Sequence, residues 1–144
     1  MIERIPSGEY SATIDSKGRV VIPVPFRPFF ADGLWLTHGL DGGVDVLTEE
    51  YWQKIKERLD SMPSFDMNAR RLRKLYYSPA QNTQLDKQGR VLIPPLIRRH
   101  AGLRDKVVIL STGDHLEIWD EDRYFNYLEK LRQELVIPDV MGDI

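Results

Sequence analysis

Two arginines stand in the same short frame: Asp15-Ser16-Lys17-Gly18-Arg19, and then Asp86-Lys87-Gln88-Gly89-Arg90. The chemistry open to such a frame is recognition rather than catalysis. An Asp four residues before an Arg can pair with it across a hairpin and fix the guanidinium. The remaining N–H donors are then left for a phosphate or for the N7/O6 edge of guanine. Asp and Gly are also what a tight turn needs, one accepting backbone N–H bonds and the other supplying φ > 0. A partly exposed Asp–Arg pair is by itself of small energetic worth. Turn formation, however, requires no arginine after the glycine, and here one recurs in matched frames with a lysine in each loop (Lys17, Lys87). That recurrence favours the recognition reading.

Both frames sit inside a longer repeat. Residues 13–27 read TIDSKGRVVIPVPFR and residues 84–98 read QLDKQGRVLIPPLIR, each of the form D-x-x-G-R-V-x-I-P-x-x-x-R. Asp15, Gly18, Arg19, Val20, Ile22, Pro23 and Arg27 match Asp86, Gly89, Arg90, Val91, Ile93, Pro94 and Arg98, while upstream of Thr13 the match fades. The apolar triplets after each arginine read as buried strands that the proline ends. Each copy then predicts a short helix (25–31; 95–102), a strand (34–37; 107–110), a Gly/Asp-rich turn and a second strand (44–47; 116–119). A longer amphipathic helix follows, capped by Thr48 in the first copy and Asp120 in the second. Leu47–Trp52 and Trp119–Tyr124 form hydrophobic staples. The apolar stripes are Trp52, Ile55 and Leu59 in one helix, and Tyr124, Tyr127, Leu128, Leu131 and Leu135 in the other. A joining helix over 64–76 is expected to turn Leu72 and Leu75 inward, with Arg70, Arg71, Arg73 and Lys74 elsewhere. The organisation expected is therefore a first module (1–62), a connecting helix (63–76), a second module (77–137) and a loose tail (138–144).

Composition narrows the function classes. The 144 residues are 42% hydrophobic and 29% charged, the balance of an ordinary globular chain. Two separate half-length cores would each be marginal, so the halves are expected to share an interface. With no cysteine, disulfides, thiolate zinc sites and cysteine nucleophiles are excluded. No segment reads as a signal peptide or membrane span, and a cytoplasmic location is expected. The net charge of −2 argues against a uniformly basic surface. Cations nevertheless cluster from Gln84 to Lys106 (Lys87, Arg90, Arg98, Arg99, Arg104 and Lys106 against Asp86 and Asp105), and anions dominate after Asp114. Such segregation allows a basic face on an acidic protein. His38, His100 and His115 are far apart with no metal-ligand spacing among them, and there is no P-loop, G-x-S-x-G or dinucleotide-binding motif. No enzyme activity, cofactor, metal or small-molecule substrate is expected.

The doubled D-x-x-G-R-V-x-I-P motif, its spacing and the helix-plus-strand continuation of each copy resemble the MraZ family over almost the whole chain. The first loop matches that family's D-x-K-G-R, while the second moves its lysine by one position, to Lys87. The resemblance implies a β-rich α+β fold: tandem AbrB/SpoVT-like swapped-hairpin modules forming a pseudo-dimeric barrel within one chain, with flanking helices. It implies a nucleoid-associated transcriptional regulator that assembles as a ring-shaped homo-oligomer. Its partner is double-stranded DNA, in tandem promoter boxes upstream of the division and cell-wall gene cluster. It places the DNA contacts in the D-x-x-x-R loops, here Asp15, Lys17, Arg19, Asp86, Lys87 and Arg90. The alternative is an antitoxin-type protein-interaction module of the same superfamily. About seven residues after the last helix are too few to wrap a partner, since even a small stable interface takes roughly 20 residues a side.

Overall fold

The computed structural model describes residues 3–142. Eight strands and four α-helices alternate along the chain: β1 (Glu9–Thr13), β2 (Arg19–Val21), β3 (Leu34–His38), β4 (Val44–Leu47), α1 (Glu49–Ser61), α2 (Met67–Leu72), β5 (Gln81–Thr83), β6 (Arg90–Leu92), α3 (Pro95–Ala101), β7 (Lys106–Ser111), β8 (Leu116–Asp120) and α4 (Glu121–Glu134). Where the first half has a 3-10 helix (Val24–Phe30), the second has α3. Pro28 inside the first segment removes a backbone donor, which a regular α-helix would need.

All strand pairs are antiparallel. One sheet has the order β1-β7-β8-β4-β3-β5, and β2 pairs with β6 as a separate ribbon. The order reads the same from both ends once each strand is exchanged for its repeat partner, so a pseudo-twofold axis passes between β4 and β8. The halves are interleaved. β1 of the first half lines β7 of the second, with Tyr10 opposite Ile109, and β5 of the second lines β3 of the first, with Trp35 opposite Asn82. Sequence alternation does not mark these two edge strands, because EYSAT and QNT carry few apolar residues and lie mostly exposed.

A single principal core results. Val20, Ile22, Phe26 and Phe30 pack in one cluster with Val91, Ile93, Ile97 and Ala101, together with buried residues of β3, β4, β7 and β8. Shared burial of this kind answers the small size of each half. The triplets after each arginine are half-buried rather than wholly buried: Val20, Ile22, Val91 and Ile93 point inward, while Val21 and Leu92 are exposed. Side chains alternate across a ribbon that has only one covered face.

The closing helices begin where their caps stand. Thr48 Oγ1 accepts from Tyr51 N at 3.1 Å and Asp120 Oδ2 from Arg123 N at 3.2 Å. Trp52 and Leu59 are buried on α1, but only Tyr124 is buried on α4, where Leu131 is exposed, as is Leu135 just beyond the helix. The joining helix departs from the expected phase. After α2 it widens into a π turn (Arg73–Tyr77), so Ala69 and Tyr76 face inward and Leu75 is 49% exposed. The extra residue of a π turn rotates the following side chains off the 3.6-residue register. Arg73 donates to the carbonyls of Leu59 and Met62, both at 2.8 Å, and so caps the end of α1. Arg70 donates to Phe65 O at 2.7 Å, which accounts for half of that basic cluster structurally. After α4 the chain is exposed, with one 3-10 turn at Asp139–Met141, and the last two residues of the expected tail lie outside the described residues.

His38 of β3 stacks on His100 of α3, ring centroids 3.8 Å apart and planes within 8°. Burial first, and the neighbouring imidazole second, hold His38 below its ordinary pKa. The unfolded chain therefore takes up this proton near pH 6.5, before the native chain does. Stability from the stacked pair is full above that pH and falls as pH drops through the lower native value. His38→Phe keeps a ring in place without the titration. Urea unfolding of both proteins between pH 5 and 8 should show a shallower acid-side loss of stability in the variant.

Candidate nucleic-acid interface

The two loops are built alike, atom for atom. Asp15 Oδ1 accepts the backbone N–H groups of Lys17 (2.9 Å) and Arg19 (2.8 Å), and Asp15 Oδ2 accepts Arg19 Nε at 2.9 Å. Asp86 Oδ1 accepts those of Gln88 and Arg90, both at 2.9 Å, and Asp86 Oδ2 accepts Arg90 Nε at 2.7 Å. Each turn is closed by Gly N to Asp O at 3.0 Å. The backbone N–H of the arginine, with further donors of the same loop, holds each aspartate below the usual carboxylate range. Because both Asp15 and Asp86 are open to water, the pairs contribute little stability. Their effect is orientation: each aspartate takes Nε and so fixes the plane of its guanidinium.

Strand exchange brings the loops together. Arg19 lies opposite Leu92, Val20 opposite Val91 and Val21 opposite Arg90 in the β2–β6 ribbon. The ribbon is extended by Ile22 N to Gly89 O at 2.8 Å and Ile93 N to Gly18 O at 2.9 Å, so each loop is bonded to the other half. Arg19, Val21, Arg90 and Leu92 share the outer face, and Lys17 and Lys87 are exposed at the loop tips. All six expected site residues thus lie on one ribbon and its two turns. At the place that matches Lys17, the second loop carries Gln88, whose Oε1 lies 3.5 Å from Arg90 Nη2. That shift leaves Arg90 with one more neighbour inside its own loop than Arg19 has.

Two further arginines belong to this surface. The repeat matches Arg27 with Arg98, but the three residues that precede each hide where it points. Arg98 lies across Gly18 of the other half, and Arg27 lies across Gly89. Arg27 Nε donates to Ile22 O at 2.7 Å, whereas the buried Nε of Arg98 has no partner. Val21 and Leu92 were likewise missed, their exposure being decided by which ribbon face the core covers. The basic stretch from Gln84 to Lys106 is divided by the fold. Arg104 turns away to pair with Asp120 and Asp122, with Nη2–O distances of 3.1 and 2.7 Å, while Arg90 and Arg98 remain beside the loops. An antiparallel ribbon with outward arginines, lysines at both turns and two apolar side chains can meet phosphates, base edges and thymine methyl groups together.

Comparisons with known proteins follow the duplication. The family model described as "MraZ protein, putative antitoxin-like" matches the chain twice, over residues 5–75 and 76–138. A relative named Transcriptional regulator MraZ from Thermus thermophilus is 42% identical over 139 residues, covering 95% of this chain and 96% of its own length. Its namesake from Deinococcus radiodurans is 37% identical over 139 residues, covering 96% and 98%. That of Limosilactobacillus fermentum is 42% identical over 120 residues, covering 83% and 84%.

The interlock of glycine and arginine generates a test. Gly18 has φ +90°, and an added Cβ would stand 2.6 Å from Arg98 Cζ; Gly89 has φ +77° and meets Arg27 in the same way. Gly18→Ala should lose about 1–3 kcal/mol of stability from backbone strain, with a further loss from the contact of its Cβ with Arg98, and Gly18→Val more, because a β-branched residue fits this region worst. Adding Arg98→Ala should relieve part of the Gly18→Ala loss in denaturant titrations, whereas adding Arg27→Ala should not.

Proposed function

The chain belongs to the MraZ family, and on that premise we propose that it is a non-enzymatic, sequence-specific DNA-binding regulator of transcription. The reading rests most on one observation: Arg19 and Arg90 stand on the same exposed ribbon face, each locked at Nε by its own aspartate, with both terminal nitrogens of Arg19 and Nη1 of Arg90 unbonded among the described residues. A two-stranded ribbon fits the major groove, which is about 12 Å wide. In that pose Arg19 and Arg90 reach base edges or phosphates, Lys17 and Lys87 meet phosphate, and Asp15 and Asp86 hold the loops. Arg27 and Arg98 brace the loops from beneath, and Val21 and Leu92 face the thymine methyl edge.

We take 1–62 and 77–137 as the two modules and 63–76 as their connector, with the sheet and the ribbon closing round the shared core as a pseudo-dimeric, swapped-hairpin barrel. The exposed apolar residues Leu75, Phe125, Leu131 and Leu135 supply contact surface for a head-to-tail homo-oligomer. Such contacts form a ring when the rotation closes. The sites read are tandem promoter boxes ahead of the division and cell-wall gene cluster, and the protein is cytoplasmic and nucleoid-associated. The family description, antitoxin-like, favours one rival, a module that captures a partner protein.

Gel-shift titration on the chain's own upstream region separates the two. Arg19→Ala should weaken specific binding by about 1–3 kcal/mol for each loop engaged, with fold and oligomer mass unchanged. Arg90→Ala should lose as much or less, because Gln88 already engages that guanidinium. Unchanged affinity in both variants would remove the ribbon from the interface.

Assembly predicts a dependence on box number. Several identical ribbons on one ring gain from effective concentration when boxes repeat. Light scattering should give a closed multimer, and a duplex with two or more correctly spaced boxes should bind at least about tenfold more tightly than one box, the low end for linked sites. A monomer indifferent to box number would contradict the ring.

A further inference from the structure

Away from the ribbon, the centre of the six-stranded sheet carries a second constellation. Asp45 of β4 lies directly opposite Glu117 of β8, on the pseudo-twofold axis where the two halves meet. His115, from the turn before β8, reaches between them. Its Nε2 lies 3.0 Å from Glu117 Oε2 and 3.5 Å from Asp45 Oδ1. These three atoms lie within 4.8 Å of one another.

Every other polar atom of the three side chains is already engaged. Asp45 Oδ2 accepts from Tyr76 OH at 2.5 Å, and Glu117 Oε1 accepts from Trp119 Nε1 at 2.8 Å. His115 Nδ1 lies 2.6 Å from Asp114 Oδ1, and Asp114 Oδ2 accepts from Tyr51 OH at 3.1 Å. One atom of each side chain is thereby left pointing at a common centre. Asp45 is only 6% exposed, yet its Oδ1 has no hydrogen-bond donor. A cleft of about 280 Å³ opens on the cluster, walled by Leu40, Ile55, Leu59 and Leu72 with Asp41 at its edge.

We propose that Asp45, His115 and Glu117 form a binding site for a divalent transition-metal ion of the zinc class, with a fourth position open to the cleft. With metal–ligand bonds of about 2.0–2.2 Å, neighbouring donors of a tetrahedral site stand about 3.4 Å apart, and the two distances at His115 bracket that value. An imidazole donating its other nitrogen to a carboxylate is the usual outer shell of a metal-bound histidine, and Asp114 fills that place. One imidazole with two carboxylates suits zinc better than magnesium, which needs six oxygen ligands in octahedral array. Binding replaces the Nε2 proton of the imidazolium, which leaves to solvent, so charge and protons balance. The rival occupant of the centre is that proton itself. Burial disfavours the charged ring, but Asp45, Glu117 and Asp114 outweigh it and push the His115 pKa up to about 10. The site ties both halves and the Tyr76 turn of the joining helix to one point. It is independent of the DNA-binding reading.

The test uses the untagged full chain, stripped with chelator and titrated calorimetrically with ZnCl2 and, separately, MgCl2. One equivalent of zinc per chain and no magnesium is the expected result. Cobalt should give the intense visible bands of tetrahedral coordination. Glu117→Gln keeps an acceptor for Trp119 and removes the charged ligand, and His115→Gln removes the nitrogen. Each should weaken zinc binding by more than the roughly 10–100-fold that loss of an outer-shell partner costs, with circular dichroism unchanged. Asp114→Asn should fall within that 10–100-fold range. No stoichiometric zinc in the wild-type chain, equal affinity in the folded variants, or magnesium bound as well as zinc would each overturn the site. In the first case the cluster is an imidazolium held between carboxylates.

Discussion

Neither half of this chain can satisfy its own sheet. Among the described residues, β1 finds strand partners only on β7 of the other half, β5 only on β3, and β2 only on β6 and a bridge at Ile14. Unpaired backbone donors and acceptors are costly wherever water is excluded, and strands of three to five residues have little else to hold them. Exchange of strands is therefore the condition for either half to fold, and the common core follows from it. So do the positions of both candidate sites. The arginine loops meet because β2 and β6 pair, and the Asp45–Glu117 pair meets because β4 and β8 do.

The exchange also explains why glycine and arginine keep company in the repeat. Gly18 must have positive φ to close its own turn, and it must lack a side chain so that Arg98 of the other half can lie flat against it. Gly89 serves Arg27 in the same way. One residue thus answers a local constraint and a long-range one. The backbone of each loop is held from inside by its aspartate and from outside by the other module, which leaves the terminal nitrogens of Arg19 and Nη1 of Arg90 as the open chemistry. A rigid donor pair loses less entropy on meeting a planar acceptor than a mobile one does.

The acidic total charge and the basic ribbon are reconciled by partition. Carboxylates of α4 and of the β8 end take up Arg104, so this cation is spent within the fold. Lys17, Arg19, Lys87 and Arg90 carry only the two loop aspartates beside them. A local field of that kind attracts phosphate near the ribbon without making the whole surface adhesive.

Whatever is written locally or twice could be read from the chain. The repeat exposed the modules, the loops and their arginines. Apolar spacing found β3, β4, β7, β8 and both closing helices, and Thr48 and Asp120 marked their starts, because caps and turns act over a few residues. Periodicity failed where the backbone broke its own register, as in the π turn that buries Tyr76 rather than Leu75. It failed also at β1 and β5, whose pairing comes from partners some 100 and 50 residues away. Packing of the two halves sets which ribbon face is open, brings Arg27 and Arg98 across to the opposite loop, and makes Asp45, His115 and Glu117 converge. Those are contacts between halves, and a contact between halves leaves no spacing in the chain, because it depends on how two separated segments are laid against one another.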